Sequence, residues 1–160
     1  MSEQIYVTTA LQSWKIWTDR LGKVFDSLND EQMLAEIAPG RNRPVYLLGH
    51  LTVVHDAMVS QMRLGEAAYP ELRPIFLDQP DRATGDIPTV AELRTKWTAV
   101  SARLAELFEK LTPAQWLERH GSVSEEDFAR ETHRNRLAIL LNRTGHASYH
   151  LGQLMLKKKA

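Results

Sequence analysis

Apolar side chains recur at helical spacing over four long stretches of this chain. In the first, Val7, Leu11, Trp14, Leu21, Phe25 and Leu28 repeat at intervals of three, four and seven, the face of an amphipathic helix. Asn29-Asp30 predicts a short extra turn through Ile37, closed by Pro39-Gly40. A second helix is predicted to start near Asn42 to Pro44, since proline is tolerated in a first turn. Its stripe is Leu48, Leu51, Val54, Met58 and Met62, with Gly65 as the expected stop. The third opens on Thr89-Val90-Ala91-Glu92, a capping box, and carries Leu93, Trp97, Val100, Leu104, Leu107 and Leu111. Thr112-Pro113-Ala114-Gln115 is a second box; it predicts a short helix ending near Gly121, then a polar and poorly ordered stretch over 122–132. The fourth long helix is predicted from about His133 to Lys157, with Leu137, Leu140, Leu141, Thr144, Ala147, Leu151, Leu154 and Met155 turned inward. The chain shows no convincing strand pattern and no internal repeat. Four long amphipathic helices predict an all-α four-helix bundle.

Histidines interrupt this pattern in an informative way. His146 and His150 lie one turn apart in Gly145-His146-Ala147-Ser148-Tyr149-His150-Leu151-Gly152-Gln153, and His50 lies far upstream in Leu48-Gly49-His50-Leu51. Residues four apart on a helix share a face, with Cβ atoms roughly 5–6 Å apart. Two such imidazoles can bind one metal ion, and a third from another helix leaves a coordination position open for chemistry. His50 is near the start of the second helix and the pair is near the end of the fourth. For all three to meet, those two helices must run antiparallel. A simple up-down-up-down bundle makes them parallel and separates the histidines by on the order of 10 Å along the axis, at about 1.5 Å rise per residue. The remedy is an up-down-down-up order with a long crossover between helices two and three. Residues 65–88 are long enough for it, hold four of the seven prolines, and contain Ile75-Phe76-Leu77 as a pin to the core.

That layout puts the candidate site at one end of the bundle, bordered by the 29–43 connection. Arg41, Asn42 and Arg43 are there either as partners of an anionic substrate or as solvated loop residues. Asn142 and Gln153 share the metal-side face of the last helix, either to orient a ligand or as residues at the bundle rim. His55 lies roughly 140° round from His50 and is expected at a surface or interface. His120 is read as a helix-end partner and His133 as a cap or solvated side chain. Tyr149 is expected to pack in the core or an interface, and Trp14, Trp17, Trp97 and Trp116 are expected in the core.

Composition narrows the function classes. The 160 residues predict one domain over 1–160, large enough to bury about two-thirds of its unfolded surface. Twenty basic and twenty acidic residues cancel, so no global field draws in nucleic acid or an anionic membrane. Lys157-Lys158-Lys159 suits a helix dipole better than a polyanion. With no cysteine, thiolate ligands, cysteine nucleophiles and disulfides are excluded. Neither a signal peptide nor a membrane span is visible, so the cytoplasm is the expected setting. Phosphate-binding glycine loops are absent. His55-Asp56 has no upstream histidine to complete an HD-type phosphohydrolase site.

Gly49-His50-Leu51 and the C-terminal His146-Ala-Ser-Tyr-His150-Leu-Gly-Gln153 resemble the DinB-like (YfiT-like, damage-inducible) superfamily, and the resemblance covers essentially the whole chain. It implies the up-down-down-up bundle, one divalent metal ion held by His50, His146 and His150, and a homodimer. Some relatives are thiol-dependent S-transferases or isomerases using bacillithiol or mycothiol. The mycothiol-type isomerases carry glutamate at the first position of the C-terminal pair. His146 here resembles the bacillithiol-type or uncharacterised branch. The metal is expected to be zinc or nickel, with iron, manganese and copper also compatible with imidazole. Three neutral imidazoles leave the ion its full charge, which acidifies bound water toward pKa about 7 and a bound thiol more readily still. No general base is evident. The expected activity is transfer of a low-molecular-weight thiol to a small electrophile. The alternatives are a metal-dependent hydrolase, a metal-stabilised binding or stress-response protein without turnover, and a helical dimer whose histidines are core residues.

Overall fold

Four helix starts coincide with side-chain caps in the computed structural model, which describes residues 2–157. The elements are α1 (Ser2–Ser27), α2 (Asp30–Leu34), α3 (Pro44–Gln61), a 3-10 turn (Pro70–Leu72) running into α4 (Arg73–Phe76), α5 (Val90–Glu109), α6 (Pro113–Trp116), α7 (Glu125–Arg130) and α8 (Arg136–Lys157). Asn29, Thr89 and Thr112 each close a capping box, with Gln32, Glu92 and Gln115. Each box satisfies two orphan backbone donors of a first turn. Pro44 takes the first helical position of α3. The protein is all-helical; the described residues hold no strand, only an isolated bridge between Arg119 and Asn135. Among them no helix is long and apolar enough to cross a membrane.

The four long helices bury their stripes in two apolar clusters. One unites Leu21 and Phe25 of α1 and Leu28 just after it, Leu48 and Leu51 of α3, Leu93 and Trp97 of α5, and Leu151 and Leu154 of α8. The other unites Val7 and Trp14 of α1, Met58 of α3 and Met62 at its C-terminal cap, Leu104 and Phe108 of α5, and Leu140 of α8. The ends of α1 and α8 therefore share a tier with the starts of α3 and α5. Each fully buried Leu, Met or Phe contributes about 1.5–3 kcal/mol.

The segment between α3 and α5 is tied down at both ends. The Asp56 carboxylate, 2% exposed, accepts from the backbone N–H groups of Ala68 (2.9 Å) and Tyr69 (2.8 Å). At the far end Asp81 receives Arg43 through its backbone N–H and its guanidinium (2.7–3.1 Å). Phe76 is wholly buried, as the apolar run at 75–77 predicts.

Several boundaries differ from the sequence expectations. Residues 122–132 are not a poorly ordered stretch. Val123 is buried, Ser124 caps α7 by accepting from Asp127 N–H, and Arg119 donates to the Val123 carbonyl. α2 stops at Leu34 and α3 at Gln61, short of Ile37 and Gly65. α8 starts at Arg136, whose buried guanidinium donates to the carbonyls of Met62 (2.6 Å) and Gln115 (2.9 Å). On α8, Leu141 and Met155 are 53% and 37% exposed, at the margins of the stripe rather than inside it. Lys157 donates to the Glu36 carbonyl; Lys158 and Lys159 of the basic run lie outside the described residues.

Candidate metal centre

His50 projects from the second turn of α3, His146 from the middle of α8 and His150 one turn further on. The three come together. Nε2 of His146 lies 3.3 Å from Nε2 of His50 and 3.0 Å from Nε2 of His150. One ligand atom from each falls within 4.8 Å of the others, so the cluster could hold a metal ion.

The far side of two rings fixes which nitrogen points inward. His50 Nδ1–H donates to the Phe76 carbonyl (2.9 Å), and His150 Nδ1–H donates to Gln153 Oε1 (2.7 Å). A carbonyl oxygen only accepts, so the ring proton sits on Nδ1 and each Nε2 offers a lone pair. At most His146 can give one proton to this group, which leaves convergent lone pairs uncompensated. A cation at their centre removes that repulsion. The 3.0–3.3 Å separations approach the roughly 3.3 Å edge of a tetrahedron with metal–nitrogen bonds of about 2.0–2.1 Å. The residues fit a divalent ion.

Burial holds the set neutral. It pushes the His146 imidazole down to about 4, reinforced by His150, His50 and Arg143. It also lowers His50 and His150, against the opposing bonds to Phe76 and Gln153. Neutral imidazole is the ligating form.

Gly49 explains why Phe76 can serve His50. A Cβ at position 49 would sit 2.4–2.5 Å from ring atoms of Phe76, far inside van der Waals contact. Only glycine lets α4 approach α3 closely enough for the Phe76 carbonyl to reach His50. Tyr46, one turn before His50, stacks on its ring at 6.4 Å and 13°, and its hydroxyl donates to the Gln79 carbonyl (2.6 Å). Tyr46 and Phe76 were not singled out as site residues in the sequence. The signals were the glycine beside His50 and the apolar run at 75–77.

The remaining candidates separate. Of the two alternatives open to each, Gln153 orients His150 and Asn142 is exposed at the rim. Arg43 is committed to Asp81 and leaves the site. Arg41 and Asn42 line a 410 Å³ cavity with Ile37, Gly40, Tyr149, Gln153 and Leu156. Tyr149 is not in the core of the chain: it is 62% exposed, and its hydroxyl accepts from Gln153 Nε2 (3.1 Å). Trp14, Trp97 and Trp116 are buried, and Trp17 is half-buried. His120 is buried at a turn, where its Nδ1 accepts from Ser122 N–H, and His133 is exposed ahead of α8.

His55 overturns its expected surface or interface position. It is wholly buried between the rings of Trp97 (5.0 Å) and Trp14 (6.1 Å). Facing away from His50 does not lead to solvent, because α3 is buried on nearly every side. Neither ring nitrogen of His55 has a hydrogen-bond partner. Burial first, then His146, Arg143 and His50, push it down to about 3.

No curated protein matches the chain. The family described as the DinB superfamily matches residues 15–154, a span that includes all three converging histidines, and the chain belongs to that superfamily.

Proposed function

We propose that this chain is a metal-dependent DinB-like protein in which His50, His146 and His150 ligate one divalent ion, zinc or nickel, and that it transfers a low-molecular-weight thiol to a small electrophilic substrate. Its frame is one domain, an up-down-down-up four-helix bundle with its long crossover between α3 and α5. The sharing of each apolar tier by opposite helix ends supports that order.

One observation carries the reading. Three neutral imidazoles aim Nε2 at a common point, and two of them are locked there through Nδ1. When bound, a divalent ion supplies Lewis acidity that lowers the pKa of a coordinated thiol or water. The chain's own residues do the rest. Phe76 and Gln153 hold the rings at fixed angles, which spares reorganisation when the ion is bound. Burial keeps protons off the ligands near neutral pH. The cavity bordering Gln153 favours a ligand-accepting centre over a sealed structural one. In the transfer the S–H bond breaks and its proton leaves to solvent, sulfur bonds to the electrophilic carbon, and that carbon's bond to its leaving group breaks, the leaving group departing with the electron pair. We extend the proposal to a homodimer in the cytoplasm, for which exposed Ile5 and Ile16 on α1 and Leu141 on α8 offer an apolar surface.

The deciding test is elemental analysis of protein purified without an affinity tag, followed by thiol-conjugation assays. One equivalent of metal, lost in His150→Ala together with turnover, is the expected result. Metal bound without turnover for any thiol removes the transferase reading and leaves a metal-stabilised binding protein. Absence of stoichiometric metal after reconstitution removes both.

A further inference from the structure

We infer that the cavity beside the centre is a carboxylate subsite, and that the electrophilic substrate is a small monocarboxylic acid with an apolar body. The inference names the substrate class for the proposed centre and therefore rests on that reading.

The cavity's lining has a surplus of donors. Arg41 has no side-chain partner among the described residues, although the arginines nearest it in the loops are committed: Arg43 to Asp81 and Arg82 to Glu36. Among the described residues no carboxylate lines the cavity. The Tyr149 oxygen accepts from Gln153, so its own proton is free to donate, and the Gln153 oxygen is already taken by His150. Asn42 adds an amide with no side-chain partner among the described residues. Three donors, one of them cationic, face a space with almost no free acceptor. An anionic oxygen pair satisfies them best, since guanidinium and carboxylate match in a two-bond fork.

The loop that presents Arg41 is braced in advance. Gly40 N–H and the Arg82 guanidinium both donate to the Glu36 carboxylate, Ile37 N–H donates to the Asn42 carbonyl, and Lys157 donates to the Glu36 carbonyl. Bracing lowers the ordering cost of binding. The other walls are apolar. Leu156 is 58% exposed and Tyr149 62%, and an apolar ligand body would cover both. The volume of 410 Å³ lies in the range of small-molecule sites, about 300–1,000 Å³. Gln153 joins subsite and centre: its amide touches the Tyr149 hydroxyl on one side and His150 on the other.

The test is calorimetric titration of 3-phenylpropionate, and of 3-phenylpropionamide as its neutral counterpart, into metal-loaded and metal-stripped protein. The carboxylate is expected to bind at least about tenfold more tightly than the amide and to weaken with added salt. Arg41→Gln should lose about tenfold or more, and Arg41→Lys should recover part of that, both with unchanged metal content and melting temperature. Equal binding of acid and amide, or undiminished binding in Arg41→Gln, overturns the subsite. So does no binding at all by metal-replete protein, although the proposed function then survives. Conversely, Arg41-dependent binding by a protein that takes up no metal leaves the subsite standing and removes the proposed function.

Discussion

A glycine without a side chain and a histidine without a partner carry opposite lessons. Gly49 is required by space: a Cβ there meets Phe76 at 2.4–2.5 Å. Gly49→Ala must push the buried Phe76 away and with it the carbonyl that orients His50. We expect a loss of about 1–3 kcal/mol in stability and a 10–100-fold fall in metal affinity, read by denaturation and competitive chelation. His55 is tolerated rather than required. Its unfolded pKa is about 6.5 and its folded pKa is pushed down to about 3. The folded state thus refuses a proton that the unfolded chain accepts. Its contribution is complete above about pH 6.5 and is lost as the pH falls from there toward 3. Metal-free protein should lose about 1.5 kcal/mol through this group between pH 6.5 and 5. In His55→Phe that share of the slope should vanish, while stability at pH 8 changes little because no hydrogen bond is broken. An unchanged slope in urea denaturation at the two pH values would contradict the assignment.

Among elements, the connection from α3 to α5 places the site. It supplies Phe76 to His50 and Asp81 to Arg43, and it is anchored where Asp56 receives two backbone N–H groups. Asp56→Ala strands those donors and removes the carboxylate facing Arg103 (3.8 Å). The expected cost is about 2–4 kcal/mol, with hydrogen exchange faster at Ala68 and Tyr69 than in α5. Arg41 and Asp81 show how far apart two parts of one loop system can stand in role. One guanidinium is left facing the cavity, while the next arginine along the chain is held by a carboxylate thirty-eight positions on.

Over the whole molecule, a metal held by His50, His146 and His150 would join chain segments ninety-six residues apart. Because an ion that binds only the folded state stabilises it by mass action, saturation a thousandfold above Kd adds about 4 kcal/mol. Chelation should therefore lower the melting temperature by about 10 °C, and re-addition of metal should restore it. No such shift is expected in His150→Ala, whose scans with and without chelator should coincide.

The sequence alone was enough for the four long helices, the two capping boxes at Thr89 and Thr112, and the convergence of His50 with His146 and His150. Each follows from local spacing, which fixes the faces of a helix, or from a constraint linking two such faces. It left open which of Gln153 and Asn142 would meet a histidine and which would sit at the rim, and it did not reach the burial of His55 or the hold of Asp81 on Arg43. Periodicity tells which side of a helix is apolar, but α3 is enclosed all round by neighbours that the pattern does not name. The polar stretch at 122–132 read as irregular because its order comes from a cap and from Arg119 reaching the Val123 carbonyl. Pairing is likewise a matter of what arrives from elsewhere: Asp81 comes to Arg43, and no side chain among the described residues comes to Arg41. Helix faces are written in the order of residues along the chain. Which charges and rings stand opposite them is decided only when the connections fold back.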